Sequence, residues 1–131
     1  MPAGKAPAPR VAPTMATRSV PALFTLWEEV IDDLLDRTMR FPKAVRFTFS
    51  ARIDGLALDV LERIVEARYA PAGVQGEAPR SADLSLAKLR VLLRLSHKRR
   101  YLDHGGYEHV AARIDEAGRM IGGWLAHDAR R

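Results

Sequence analysis

Between Leu23 and Leu35 the apolar residues recur every three or four positions (Leu23, Leu26, Trp27, Val30, Ile31, Leu34, Leu35), the period that lines one face of an α-helix. Ser19 with Pro21 behind it reads as the start of that helix, a hydroxyl cap ahead of a residue that needs no N–H in a first turn. The helix is expected to end near Thr38, because Phe41 precedes Pro42 and a residue before proline avoids the α region. A second helix is predicted from about Lys43 to Tyr69, with Phe49, Ile53, Leu56, Val60, Ile64 and Ala67 as its stripe and Leu58, Leu61 and Val65 widening it. Pro71, Gly73, Gly76 and Pro79 mark Ala70 to Pro79 as a loop. A third helix is expected from Ser81 to Asp103, capped by Ser81, with Asp83 complementing the dipole and His104-Gly105-Gly106 ending it. The fourth is expected from about Tyr107 to His127, where Tyr107, Val110, Ala111, Ile114, Ala117, Gly118, Ile121 and Leu125 form one stripe.

Four helices and three loops in 131 residues read as one all-α domain, an antiparallel up-down four-helix bundle over residues 19–131. Residues 1–18 are rich in Ala and Pro and carry Lys5, Arg10 and Arg18 without an acid, the composition of a disordered basic arm. Within the fourth helix, Gly118, Gly122 and Gly123 each cost about 1 kcal/mol relative to alanine at an exposed site, which asks for a packing reason. Gly118 and Gly122, four apart, would admit a neighbouring helix or the ring of Trp27 or Trp124; a helix end at Gly122-Gly123 is the alternative.

The third helix carries more apolar surface than its bundle needs. At roughly 100° per residue, Leu84, Val91, Leu95 and Leu102 fall on one side and Leu86, Leu89, Leu93 and Ser96 nearly opposite, with Leu92 between them. A peripheral helix of a monomeric bundle requires one stripe, so the second side points to association of subunits. Between the two sides run Arg90, Arg94, His97, Lys98 and Tyr101.

Charge sharpens this reading. The formal net charge is +5, and 17 of the 21 basic residues are arginine. From Ser81 to His104 six basic residues (Lys88, Arg90, Arg94, Lys98, Arg99, Arg100) meet only Asp83 and Asp103. Aligned like charges repel, so an unbalanced row suggests a polyanionic ligand or an acidic partner surface. Arg90, Arg94, Lys98, Arg99 and Arg100 are therefore the candidate residues for contacting nucleic acid, RNA or DNA, or a protein partner. The second helix is better balanced, with Asp59 placed to pair with Arg63. Glu28, Glu29, Asp32, Asp33 and Asp36 on the first helix offer an internal alternative, an acidic face for another subunit's basic helix.

Catalysis finds no support in the sequence. No histidine stands three residues after a glutamate, as carboxylate-bridged metal bundles require, and no nucleophile elbow or phosphate-cradling loop is present. The chain is expected to be non-enzymatic, with no metal and no cofactor. Absence of cysteine removes disulfides and thiolate chemistry and suits a reducing compartment. With no run near the roughly 20 apolar residues of a membrane span, and no signal-peptide stretch, a cytoplasmic location away from membranes is expected.

Several segments carry a pattern: Phe41-Pro42-Lys43, Arg46-Phe47, Leu61-Glu62, Glu66-Ala67, Leu89 to Leu95, and above all Asp115 to Leu125 with its Gly-Arg-Met-Ile-Gly-Gly-Trp core. Taken in order from about Pro21 to His127, they resemble the four-helix-bundle family of accessory variability proteins of diversity-generating retroelements and of proteins encoded in 23S rRNA intervening sequences. The resemblance implies a homopentameric, barrel-like ring with a basic surface. It implies binding of nucleic acid and of the retroelement's reverse transcriptase in support of mutagenic cDNA synthesis, with Arg90, Arg94 and Lys98 toward template RNA or the enzyme. The alternatives are a protein of the rRNA intervening-sequence branch or a protein-only oligomeric scaffold.

Overall fold

The computed structural model describes residues 15–71 and 76–129, with side chains from 21 to 71 and from 76 to 127. Four long helices account for most of it: α1 (Met15–Thr38), α2 (Ala51–Tyr69), α3 (Glu77–Lys98) and α4 (His104–Ala129). Each packs against its neighbours in the chain, and α4 closes against α1, the order of an up-down bundle. The core comes from all four: Leu23, Trp27, Val30 and Leu34 of α1, Ile53, Val60 and Ile64 of α2, Leu86, Leu89 and Leu93 of α3, and Ile114, Ile121 and Trp124 of α4. Trp27 is fully buried, and its Nε1–H donates to the Ala57 carbonyl of α2 at 2.8 Å, so its one polar atom is satisfied.

The stripes expected for α1 and α4 are the buried faces, but several boundaries move. Of the arm expected over residues 1–18, residues 1–14 lie outside the described residues, and Met15 to Arg18 already belong to α1. Ser19 is thus inside the helix rather than its cap, and Pro21 is an exposed interior residue. Proline there forgoes one backbone bond without obstructing the core. The segment expected to open the second helix in α form instead makes a 3-10 turn over Lys43–Val45 and a π-turn over Arg46–Ser50 before α2 begins. On α2, Arg63 turns away from Asp59 and pairs with Glu66 at 2.9 Å and Glu62 at 3.6 Å.

α3 starts at Glu77, four residues before Ser81, so Pro79 is a buried first-turn residue and not loop. The first turn has no intrahelical use for that N–H, which makes it the one place where a proline fits a helix freely. At its other end α3 stops at Lys98, short of Asp103. The terminator is Arg100 at φ 66°. Its N–H donates to the His97 carbonyl at 3.0 Å and the Tyr101 N–H to the Ser96 carbonyl at 2.8 Å, the paired bonds of a Schellman turn. Gly105 and Gly106 do not end α3; they form the first turn of α4, capped by Asp103, whose Oδ1 accepts the Gly106 N–H at 2.6 Å. Arginine in the left-handed region carries a steric cost that glycine avoids. Arg100→Gly is therefore expected to stabilise the fold by about 1 kcal/mol, seen as a higher urea midpoint with unchanged slope.

α4 runs unbroken through Gly122-Gly123, and only one of its glycines serves close packing. A Cβ at Gly118 would meet the Arg90 guanidinium at 2.6 Å, whereas Gly122 and Gly123 face open space. The neighbour admitted is an arginine, not the ring of a tryptophan.

Candidate nucleic-acid interface

α3 buries the side formed by Leu86, Leu89, Leu93 and Ser96. The opposite side stays uncovered in the single chain: Leu84 is 57%, Val91 44% and Leu95 39% exposed. Leu102 departs from that set, buried beyond the helix end.

The five candidate basic residues divide into three groups. Arg90 is half-buried over Gly118 and pairs through Nε with Asp115 Oδ1 of α4 at 3.3 Å, so its charge is locally matched. Arg94 and Lys98 are exposed on the outer face of α3 and form no ion pair among the described residues. Arg99 and Arg100 lie past the helix end, contrary to their expected place on it. Arg99 Nε donates to the Tyr101 hydroxyl at 2.8 Å, and both arginines with Leu95 and Lys98 line a shallow concavity of ≈ 470 Å³. Because the left-handed turn at Arg100 ends α3 there, this basic group sits at the end of the helix.

That end gathers a second set of bases that local charge counting on α3 misses. Tyr101 packs on Phe41 with ring centroids 5.8 Å apart and edge-on to Phe49 at 5.3 Å. These contacts hold the α1–α2 connection against the α3–α4 turn. Arg37 and Arg40 share a small cleft with Tyr101, Leu102 and Asp103, while Lys43 and Arg46 are exposed on the connection itself. The available signal was in the sequence: Arg37 to Ile53 holds five basic residues and no acid.

The nearby acids are engaged elsewhere. Asp33 accepts both hydrogen bonds of Arg37 Nε, at 3.0 and 3.1 Å, Asp103 caps α4, and Glu29 pairs with Arg113. Asp54 accepts from the Thr38 hydroxyl at 2.7 Å. Burial pushes the Asp54 carboxyl above its ordinary range, an effect the Thr38 hydrogen bond partly offsets. Such exposed pairs add little stability individually, but they decide which charges remain open. Glu28, Asp32 and Asp36 are the exception: exposed at four-residue spacing on α1, they form no ion pair among the described residues.

His97 stacks flat on Tyr107 with centroids 4.7 Å apart, and His104 approaches Glu108 at 3.3 Å. Among the described residues no cluster of three or more His, Asp or Glu is placed to hold a metal ion, and no helix is long and apolar enough to cross a membrane. The arrangement offers a surface of fixed positive charge, suited to holding phosphates.

A family model described as bAvd-like matches residues 23–127. No curated protein and no solved structure matches the chain significantly.

Proposed function

The chain belongs to the bAvd-like family, the bacterial accessory variability determinants, and from that membership we propose that it is a non-enzymatic accessory subunit of a diversity-generating retroelement, binding nucleic acid and the reverse transcriptase during mutagenic cDNA synthesis. The observation that carries this reading is the partition of charge at one end of the bundle: Asp33, Asp54 and Asp103 are held in a pair, a hydrogen bond and a cap, while Arg40, Lys43, Arg46, Arg94, Lys98, Arg99 and Arg100 stay without a carboxylate partner among the described residues. Open arginines and lysines on the last turns of α3 and on the two connections beside it supply phosphate contacts and long-range attraction for a polyanion. The reverse transcriptase supplies the chemistry.

Assembly into a ring, a pentamer by family likeness, belongs to the same proposal. It is supported by the uncovered side of α3, where Leu84, Val91 and Leu95 would otherwise remain in water. The open acidic row of Glu28, Asp32 and Asp36 favours a second reading, a scaffold whose acidic and basic surfaces meet between copies. The two differ in one assay. If the chain is an accessory subunit, adding it to the retroelement's reverse transcriptase and template RNA yields a co-eluting complex and more cDNA, and the chain alone yields none. Equal cDNA with and without the chain, and no co-elution, would sink the reading in favour of the scaffold.

A further inference from the structure

The two most exposed large apolar side chains among the described residues, Phe47 at 85% and Met39 at 80%, lie on one groove of ≈ 590 Å³ whose other walls include Phe41, Lys43 and Arg46. The backbone explains why an aromatic stands there. The π-turn over Arg46–Ser50 contains both Phe47 and Phe49. Phe49 turns inward onto Tyr101, and Phe47 is left facing solvent. Neither Lys43 nor Arg46 forms an ion pair among the described residues. The groove's one carboxylate, Asp54, is held by Thr38. π-turns of this kind recur at functional sites, and a phenyl ring kept in water beside two free cations asks for a ligand that is both flat and anionic.

We infer that this groove binds a single-stranded segment of nucleic acid, with an unpaired base stacked on Phe47 and the flanking phosphates on Lys43 and Arg46. An aromatic platform beside a basic track is the physical basis of single-strand recognition, because every base offers a π-face once it is unstacked. A duplex keeps those faces to itself and leaves only phosphates to contact. The inference rests on the nucleic-acid reading above and deepens it: the end of the bundle selects unpaired strands, and the selecting residue lies on the α1–α2 connection rather than on α3.

The test measures binding of the full chain to a fluorescein-labelled single-stranded RNA of roughly 12 nucleotides and to a blunt duplex of the same length by anisotropy, with Phe47→Ala and Phe47→Tyr beside the unaltered chain. Phe47→Ala is expected to weaken single-strand binding about 5- to 100-fold and duplex binding less than about twofold, and Phe47→Tyr, which keeps the ring, is expected to restore it. Equal loss on both RNAs, or no loss on either, overturns the inference while leaving nucleic-acid binding intact. A change in subunit number with Phe47→Ala in light scattering also overturns it, since the groove would then be a contact between copies. If the unaltered chain binds neither RNA, the underlying reading fails with it.

Discussion

Changing Arg94, Lys98, Arg99 and Arg100 together to alanine is expected to lower affinity for single-stranded RNA about 10²- to 10³-fold at roughly 0.1 M salt. The magnitude follows from counterion release: on a single strand each neutralised phosphate contributes a slope of about 0.7 in log K against log salt, so four lost contacts remove nearly three decades at that concentration. The fold is expected to survive. Arg94, Lys98 and Arg100 are exposed and make no ion pair among the described residues, and Arg99 gives up an exposed hydrogen bond to the Tyr101 hydroxyl and a cation–π contact with its ring; such surface changes usually shift stability by about 0.5 kcal/mol or less each. Anisotropy titrations with a thermal melt and light scattering check all three outcomes. Lost affinity with an intact oligomer supports a nucleic-acid surface, whereas dissociation of the oligomer would assign the same residues to a contact between copies. Arg90 is left out because removing it would strand Asp115 and open space over Gly118, mixing a packing effect into the result.

Replacing Trp27 with alanine costs about 3–5 kcal/mol. The side chain is fully buried where α1 meets α2, so truncation leaves a large void in a core of close-fitting aliphatics and deletes the donor to Ala57. Against a total stability of about 5–15 kcal/mol for a domain of this kind, the loss is enough to leave part of the population unfolded. Trp27→Phe keeps most of the volume while losing the hydrogen bond and the rest of the indole, and is expected to fall between the two. Urea titrations of the three proteins would order them, and an alanine variant as stable as the parent would remove Trp27 from the centre of the core.

What the sequence makes legible here is periodicity. The buried faces of α1 and α4 follow the three- and four-residue spacing of Leu23 to Leu34 and of Val110 to Ile121, and the unpartnered side of α3 is visible in Leu84, Val91 and Leu95 before any coordinates. Boundaries fail where a breaker does something else. Pro79 enters a first turn, Gly105-Gly106 open a helix, and the residue that ends α3 is an arginine in a conformation usually left to glycine. Side-chain partnerships between distant segments are equally hidden. Nothing in spacing announces that Arg90 meets Asp115 across α3 and α4, or that Phe41, Phe49 and Tyr101 clasp two turns together. Those contacts convert a basic strip along α3 into a basic end of the bundle. Arg40, Lys43 and Arg46 join it from an acid-free stretch that is plain in the sequence but lies 52 to 58 residues from Lys98 along the chain.

Nucleic acid held through open basic side chains at one end of the bundle is the core of the proposed role. Its most direct test is the affinity of the unaltered chain for a short single-stranded RNA, measured from about 50 to 200 mM salt. A straight log–log plot with a slope of about −3 or steeper is expected, and a much shallower one when Arg94, Lys98, Arg99 and Arg100 are alanine. A flat plot for the unaltered chain, or the same slope in both proteins, would contradict it.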